Sequence, residues 1–305
     1  MVRGGTGLFR WSLLALLVVS LLTLGVRSTP GARSAGPCGQ LRGHAPKRYK
    51  HVLVIVMENH SYSAIDGSSP YLNGLARQCG LASRDVAITH PSLPNYIALT
   101  SGDTRGISDD CTDCSTNAPS IFQQVGPRGW RAYEESMPSP GFTGGGSGKY
   151  AKKHNPAAYY TRIAKAYARN AVPLGTTSAG ALAGDLRRNR LRRYSFITPN
   201  LCNDEHDCDI STGDDWLRQW VSKIVRSRAY RKGGTALFIT YDEGEGSDQR
   251  VYTVVVSPYT RPATVSGARF SHYSLLKTTE AMLGVRCLAH ACQGRTPSMR
   301  RPFGL

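Results

Sequence analysis

Acidic residues are scarce in this chain. Its 305 residues include 21 Asp and Glu against 38 Lys and Arg, for a formal net charge of +17 and an isoelectric point of about 9.8. Such a field concentrates anions near the surface. Phosphorylated substrates, acidic lipid and nucleic acid all qualify, as does a charge that serves solubility alone. No zinc-finger or RNP sequence accompanies the charge, so specific nucleic-acid recognition is not expected. The glycine-rich stretch PSPGFTGGGSG, residues 138–148, lacks the Lys-Ser/Thr ending of a P-loop and reads as a mobile loop. No internal repeat is present, which excludes a solenoid.

Long apolar runs are equally few. The one such run, residues 11–26, follows Arg3 and Arg10 and precedes small and polar residues. This is the pattern of a secretory signal, although no A-x-A site marks a cleavage point. The run falls short of the ~20 residues of a spanning helix, yet an uncleaved anchor stays open as an alternative. With 40% hydrophobic and 9% aromatic residues, the remainder can bury one sizeable core, so a single large domain is expected. The expected organisation is a signal peptide or anchor over residues 1–30, a linker over 31–48, the large domain over 49–292 and a basic tail over 293–305.

All eight cysteines lie outside the leader, and the even count agrees with disulfides in an oxidising compartment. Secretion, or extracellular exposure on a retained leader, is the corresponding expectation. A zinc site built on Cys111, Cys114, Cys202 and Cys208 is disfavoured, because the sequence NDEHD interrupts the second pair. Local loops pairing Cys111 with Cys114, Cys202 with Cys208 and Cys287 with Cys292 leave Cys38 for Cys79. That is one of roughly 105 connectivities open to eight cysteines.

HVLVIVM, residues 51–57, is a β-branched run of the kind that forms a strand buried on both faces. YSFITP (194–199), TALFITY (235–241) and VYTVVVSP (251–258) read the same way. Ser69 and Pro70 form a helix cap and first turn leading through Leu75 and Gln78. Residues 214–225 and 273–283 read as further helices, with Trp216, Trp220 and Ile224 at helical spacing as core rather than as a ligand platform. Buried strands alternating with amphipathic helices predict an α/β layered domain with a mostly parallel central sheet. In such sheets sites gather at the carboxyl ends of the strands.

Glu58 and Asn59 directly follow one of these strands, Asp242 and Glu243 follow another, and Asn200 ends a third. Carboxylates brought together repel unless a cation lies between them, which predicts a divalent metal. Taken singly, each acid would be an ordinary loop residue. Pro91 and Pro94 pin the backbone around Ser92, and a helix start is expected near Asn95. A serine just before a helix N-terminus sits where a phosphoryl group is favoured. An N-cap role for Ser92 fits the spacing equally well.

MENHSY, THPSLPNYIALTSGD, GKYAKKHNP, FITPNLCNDEHDCD, TGDDWL, FITYDEGEG and HYSLLKTTEAMLG occur in this order. Together they resemble the bacterial phosphoesterase family of acid phosphatases and phospholipases C, nearest its small secreted acid phosphatases. The resemblance covers nearly all of residues 49–284. It implies the alkaline-phosphatase-like fold and hydrolysis of phosphomonoesters through a metal-bound nucleophile that becomes phosphorylated. By the resemblance Ser92 is that nucleophile, Glu58 and Asn59 supply one metal-site pair, and Asp242 and Glu243 the other. His154 matches a histidine near the phosphate. His206 and His272 fall where related enzymes place metal or leaving-group histidines, with His206 or His154 expected to protonate the leaving oxygen. Asn95 and His272 are expected to contact substrate, while His51, His60 and His290 read as structural.

Two departures set this chain apart from the larger phospholipases C of the family. DEGEG stands where many carry a histidine after the Asp-Glu pair, and no sequence beyond Leu305 supplies extra β-domains. The expectation is therefore a phosphatase acting on phosphorylated small molecules or phosphoinositide head groups. The alternatives are a phospholipase C-type phosphodiesterase, or an inactive basic protein that binds acidic lipid or polymer. Carboxylate, amide and imidazole ligands leave the metal open among Ca²⁺, Mg²⁺, Mn²⁺, Fe and Zn²⁺. Oligomeric state is left open as well. A basic surface around the phosphate-binding rim is expected to draw in polyanionic or membrane-bound substrates.

Overall fold

The computed structural model describes residues 36–305, together with Met1, Gly5 and Gly7. The leader expectation, residues 1–30, thus lies outside the described residues. Among these residues no helix is long and apolar enough to cross a membrane.

Eleven strands follow in chain order: β1 (His51–Met57), β2 (Gly80–Val86), β3 (Trp130–Glu134), β4 (Gly146–Ser147), β5 (Tyr150–Ala151), β6 (Ala171–Pro173), β7 (Tyr194–Thr198), β8 (Thr235–Tyr241), β9 (Arg250–Val256), β10 (Thr264–Ser266) and β11 (Phe270–Ser271). The main sheet runs β10-β2-β9-β8-β1-β7-β3-β6, with β11 alongside β2. β8, β1, β7, β3 and β6 are mutually parallel, and β9 enters antiparallel between β8 and β2. The expected mostly parallel α/β sheet is present.

β1 sits at the centre because both of its faces are apolar. Val52, Val54 and Val56 pack on one layer with Tyr96, Ile97, Leu275 and Leu276, whereas Leu53, Ile55 and Met57 pack on the other with Leu72, Trp216 and Trp220. The two-residue period of the strand makes this division. Burying each such side chain contributes about 1.5–3 kcal/mol. Val54→Asp would place an unpaired charge between β7 and β8 and break the layer.

The helices Pro70–Gln78 and Ile210–Val225 cover one face, and Ser92–Ser101 and His272–Leu283 the other. Ser92–Ser101 is buried all round, as its sequence SLPNYIALTS, with polar groups only at small or hydrogen-bonded positions, permits. It begins at Ser92 rather than at Asn95, because a proline at the third helical position lacks an N–H that the first turn would leave unpaired anyway.

Strands β2 and β3 lie outside the sequence expectations. GLASRDV is a poor strand former that owes its conformation to pairing with β9 on one side and β10 and β11 on the other. The glycine-rich stretch 138–148 also carries more order than a plain loop, since its end pairs as β4 with β5.

The terminal segments are part of the domain. From residue 36 on, the expected linker is held by the Cys38–Cys79 disulfide and by Leu41 N–H donating to Pro258 O at 3.1 Å. The expected basic tail is docked rather than free. Met299, Phe303 and Leu305 are buried, and the Arg300 guanidinium donates to the carbonyls of Leu305, Lys47 and Pro46. Its alternating apolar residues, not its charge, decide its position.

Candidate active site

The register of the central strands builds the site. Met57 pairs with Tyr241 across β1 and β8, so the next residues of each strand, Glu58 and Asp242, emerge side by side. Asn59 has φ of 53°, and its N–H donates to Asp242 Oδ1 at 3.0 Å. This left-handed backbone turns the chain away from the sheet. The loop after β7 brings in a further carboxylate, Asp204, whose carbonyl accepts from the Glu58 N–H at 2.9 Å.

Ser92, as the first residue of its helix, points its hydroxyl into this group. Its Oγ donates to Glu58 Oε2 at 3.0 Å, and the Tyr96 hydroxyl donates to Glu58 Oε1. Tyr96 lies four positions after Ser92, on the same helix face. The Tyr96 ring stacks on the His154 ring with centroids 5.4 Å apart. His154 reaches Glu58 Oε2 and Asp204 Oδ2, each at 3.2 Å, through its two ring nitrogens.

These groups fit a cation. Glu58, His154 and Asp204 are buried, and one ligand atom from each lies within 4.8 Å of the others. His154 Nε2, Asp204 Oδ2, Asp242 Oδ2 and Asn59 Oδ1 are buried without a hydrogen-bond partner. His154 is thus close to its carboxylates but not aligned to bond them. Buried polar atoms left unpaired cost several kcal/mol, and a divalent ion would satisfy them together.

The electrostatics agree. Burial, then the charges of Asp242 and Asp204, hold the Glu58 carboxyl well above the usual carboxylate range. Burial lifts Asp204 to about 8. Burial, with Asp242 next, lifts Glu243 to about 7 against the opposing hydrogen bond from His90. Burial depresses His154 to about 3, although Asp242 pulls it upward. A neutral imidazole among carboxylates that resist ionising together is a site awaiting positive charge.

The remaining expected residues have different placements. Asn95 is not free to contact substrate: its Oδ1 accepts from the Ile88 and Thr89 N–H groups, and its Nδ2 donates to Thr89 O, Pro91 O and Glu243 Oε2. It positions the loop before Ser92. His272 is buried behind Asp242, with Nε2 donating to the Asp242 carbonyl at 2.5 Å, so it braces the Asp242 backbone rather than lining the rim. His154 is enclosed and neutral, which suits a ligand better than a proton donor. Of the three expected site histidines, His206 is the accessible one. Its side chain is 28% exposed, Nδ1 lies 2.7 Å from Asp207 Oδ1, and its ring centroid is 5.8 Å from that of His154. Asn200 does not join the cluster but turns the loop that carries Asp204, its Oδ1 accepting from the Cys202 and Asn203 N–H groups.

Asp204, Tyr96, His90, Asp110 and Lys153 went unread in the sequence. His90 Nδ1 lies 3.2 Å from Glu243 Oε2. Asp110 accepts from the Leu93 N–H at 2.9 Å and pairs with Lys153 Nζ at 2.9 Å, which in turn lies 3.5 Å from His206 Nε2. The available signal was the acid cluster NDEHD directly after a buried strand, where His206 alone drew notice. All four expected disulfides are present, and Cys202–Cys208 closes the loop holding Asp204 and His206.

Of the expected basic surround, Lys153 stands at the site, 3.5 Å from His206 Nε2. The segments leaving β1, β7 and β8, residues 58–68, 199–209 and 242–249, contain acids and no Lys or Arg. These acids would draw a cation to this end of the sheet.

Comparison with known proteins agrees with this geometry. The profile described as "Phosphoesterase family" matches residues 66–286. A phosphatidylinositol-3-phosphatase of Mycobacterium tuberculosis is 30% identical over 90% of this chain and 88% of its own length. A phosphate-repressible acid phosphatase of Penicillium chrysogenum is 28% identical over 83% of this chain, which spans 62% of that protein. Among solved structures, an alkaline phosphatase superfamily protein from Vibrio parahaemolyticus superposes with a TM-score of 0.55 at 10% identity, covering 87% of this chain and 73% of the other.

Proposed function

Because the chain belongs to the phosphoesterase family and is a phosphoric ester hydrolase of the alkaline-phosphatase-like fold, we propose that it is an exported, metal-dependent phosphomonoesterase with Ser92 as nucleophile. The observation that carries this reading is the Ser92 hydroxyl, at a helix N-terminus and 3.0 Å from Glu58 within a buried, unpaired carboxylate and imidazole cluster. Glu58, Asn59, His154, Asp204 and Asp242 would hold the divalent ion, whereas the expected ligand Glu243 is engaged instead by Asn95 Nδ2 and His90. When bound, that ion supplies Lewis-acid charge for the serine oxygen and the phosphoryl group.

The residues of the chain then divide the work. Ser92 Oγ releases its proton toward Glu58 and attacks phosphorus; the Oγ–P bond forms as the ester P–O bond breaks. His206, accessible at the rim, gives a proton to the departing oxygen. His206, having given up its proton, next takes one from water, whose oxygen attacks the phosphoseryl phosphorus. The Oγ–P bond breaks, inorganic phosphate leaves, and Ser92 recovers its proton. The positive end of the helix Ser92–Ser101 favours the dianionic phosphoryl group throughout. Lys153 adds a cation at the same mouth, held by Asp110.

Export is supported by the charged-then-apolar leader and by cysteines that are all disulfide-paired. Phosphorylated small molecules, phosphoinositide head groups included, are the proposed substrates; the similarity to a phosphatidylinositol-3-phosphatase supports the latter. The test is a panel of phosphomonoesters, phosphodiesters, phosphoinositides and phosphatidylcholine, run with purified protein of defined metal content. Turnover of monoesters with trapping of phosphate on Ser92 is expected. Preference for diesters would replace this reading with a phospholipase C-type activity.

A further inference from the structure

Positive charge absent from the segments that leave β1, β7 and β8 is gathered in the segments that enter these strands and β3, at the opposite end of the sheet. β8, β1, β7 and β3 are four adjacent parallel strands whose registers align their starts, with His51 beside Thr235, Val52 beside Tyr194 and Tyr194 beside Trp130. The segments entering them are KRYK (47–50), Arg128 with Gly129, RRNRLRR (187–193) and RSRAYRKGG (226–234). None contains an acid. These segments touch: Lys50 N–H donates to Gly234 O at 2.9 Å, Val52 N–H to Arg193 O at 2.8 Å and Tyr194 N–H to Gly129 O at 3.0 Å. Their charges therefore form one continuous face.

That face is largely unneutralised. Arg187, Arg188, Arg190, Arg228 and Arg231 are exposed. Among the described residues, the ion pairs made by Lys and Arg involve Arg105, Arg131, Lys153 and Arg218, none of which belongs to these segments. Several parallel guanidinium and ammonium groups with no acid between them repel one another, a cost that an anionic surface would relieve.

A second observation points the same way. The chain enters the described domain against this end, where Pro37 O accepts from the Tyr230 hydroxyl at 2.8 Å, and Tyr230 lies within the 226–234 segment. The apolar run 11–26 is separated from that point by a stretch that spans at most about 35 Å when extended. A bilayer that takes up the apolar run would lie within reach of the basic face.

We propose that the strand-entry end of the domain is a docking surface for an anionic lipid bilayer, which turns the catalytic rim away from that bilayer toward solution. This proposal rests on the phosphomonoesterase reading and selects, among its substrates, soluble esters over phosphoinositides of the docked bilayer. It makes the docked enzyme a scavenger of phosphomonoesters arriving from the aqueous side.

The full-length chain can be sedimented with vesicles of phosphatidylcholine alone and of equimolar phosphatidylcholine and phosphatidylglycerol. The neutral vesicles report uptake of the apolar leader, and the difference reports the basic face. Capture by the anionic vesicles is expected to exceed capture by the neutral ones by roughly tenfold at low salt and to converge with it at high salt. Combining Arg187→Gln, Arg188→Gln, Arg190→Gln, Arg228→Gln and Arg231→Gln should abolish the difference and leave turnover of a soluble monoester unchanged. Lys149→Gln with Arg250→Gln, near the catalytic end, should preserve it. Turnover of the soluble ester should persist on the vesicle-bound wild type. If the five-residue variant loses turnover through misfolding, the salt response of the wild type decides. Equal capture by both vesicles, loss caused by the Lys149 and Arg250 pair instead, or turnover silenced by docking would each overturn the proposal. Capture of heparin or single-stranded DNA without a preference for anionic vesicles would assign the face to a soluble polyanion and likewise overturn it.

Discussion

Ser92 Oγ donates a hydrogen bond to Glu58 Oε2 across 3.0 Å, although 34 positions separate the two residues. One is the first residue of a buried helix and the other the first residue beyond the central strand. Ser92→Ala should lower kcat by about a thousandfold or more, because the covalent route is lost while binding groups remain. Thermal stability should change by only about 1 kcal/mol, the scale of one buried hydroxyl. Wild-type kcat in a folded variant would remove Ser92 from the mechanism.

Asp204→Asn and Asp242→Asn each take one anionic oxygen from the cation cradle while keeping its shape. Metal affinity measured by calorimetry should weaken roughly tenfold or more in each, with activity falling in parallel and returning in part at high metal concentration. Unchanged metal content in both variants would show that the orphaned oxygens serve something other than a cation.

Tyr96→Phe removes the hydroxyl that Glu58 Oε1 accepts and leaves the ring against His154. A hydrogen bond to a charged group contributes about 1.5–3 kcal/mol, so kcat/KM should fall by roughly one to two orders of magnitude. Rescue by raising metal concentration would mean that the hydroxyl orients Glu58 as a ligand. A variant indistinguishable from wild type would make the contact incidental.

Replacing Cys202 and Cys208 by serine frees the loop that holds Asp204 and His206. The expected effect is local: weaker metal binding and lower kcat/KM, with global unfolding changed by less than the ~2–5 kcal/mol typical of a native disulfide in a small domain. Hydrogen exchange should rise in residues 200–209 and not in β1 or β8. Peptide mapping that finds free thiols at both positions in the native protein would remove the premise.

Glu280 offers a pH test away from the metal cradle. Both of its oxygens are buried without a well-formed hydrogen bond, and burial lifts its carboxyl to about 9 against the opposing Leu288 backbone and Lys277 charge. A raised carboxyl favours the protonated form in the fold, whereas the unfolded chain releases its proton near pH 4.3. Its contribution to stability is therefore full below about pH 4 and is lost progressively toward about pH 9. Relative to wild type, Glu280→Gln should gain about 1–3 kcal/mol of stability between about pH 5 and about pH 8. Denaturation curves at the two pH values measure it, and a constant difference would refute it.

The sequence by itself determined the frame. β-branched runs such as HVLVIVM and TALFITY have no other stable use than buried strands, and a polar residue directly after such a run must emerge at the sheet's carboxyl edge. Glu58 and Asp242 were legible for that reason; Ser92 was legible through the prolines around it and the family resemblance, and the helix opened by Ser69 and Pro70 through its cap. Cysteine pairs close in the chain could close local loops, and only Cys38 and Cys79 remained.

Tertiary structure decided the rest, because the rest depends on which ends meet. The Met57–Tyr241 register, not any motif, sets Glu58 beside Asp242. Asp204 becomes part of the cradle only when its disulfide loop folds back over β1, and His154 becomes neutral only through burial. Composition recorded an excess of base but not its location. The parallel order β8-β1-β7-β3 carries the entry segments of these strands, which hold Lys and Arg and no acid, to one end, and the acid-bearing exits of β8, β1 and β7 to the other.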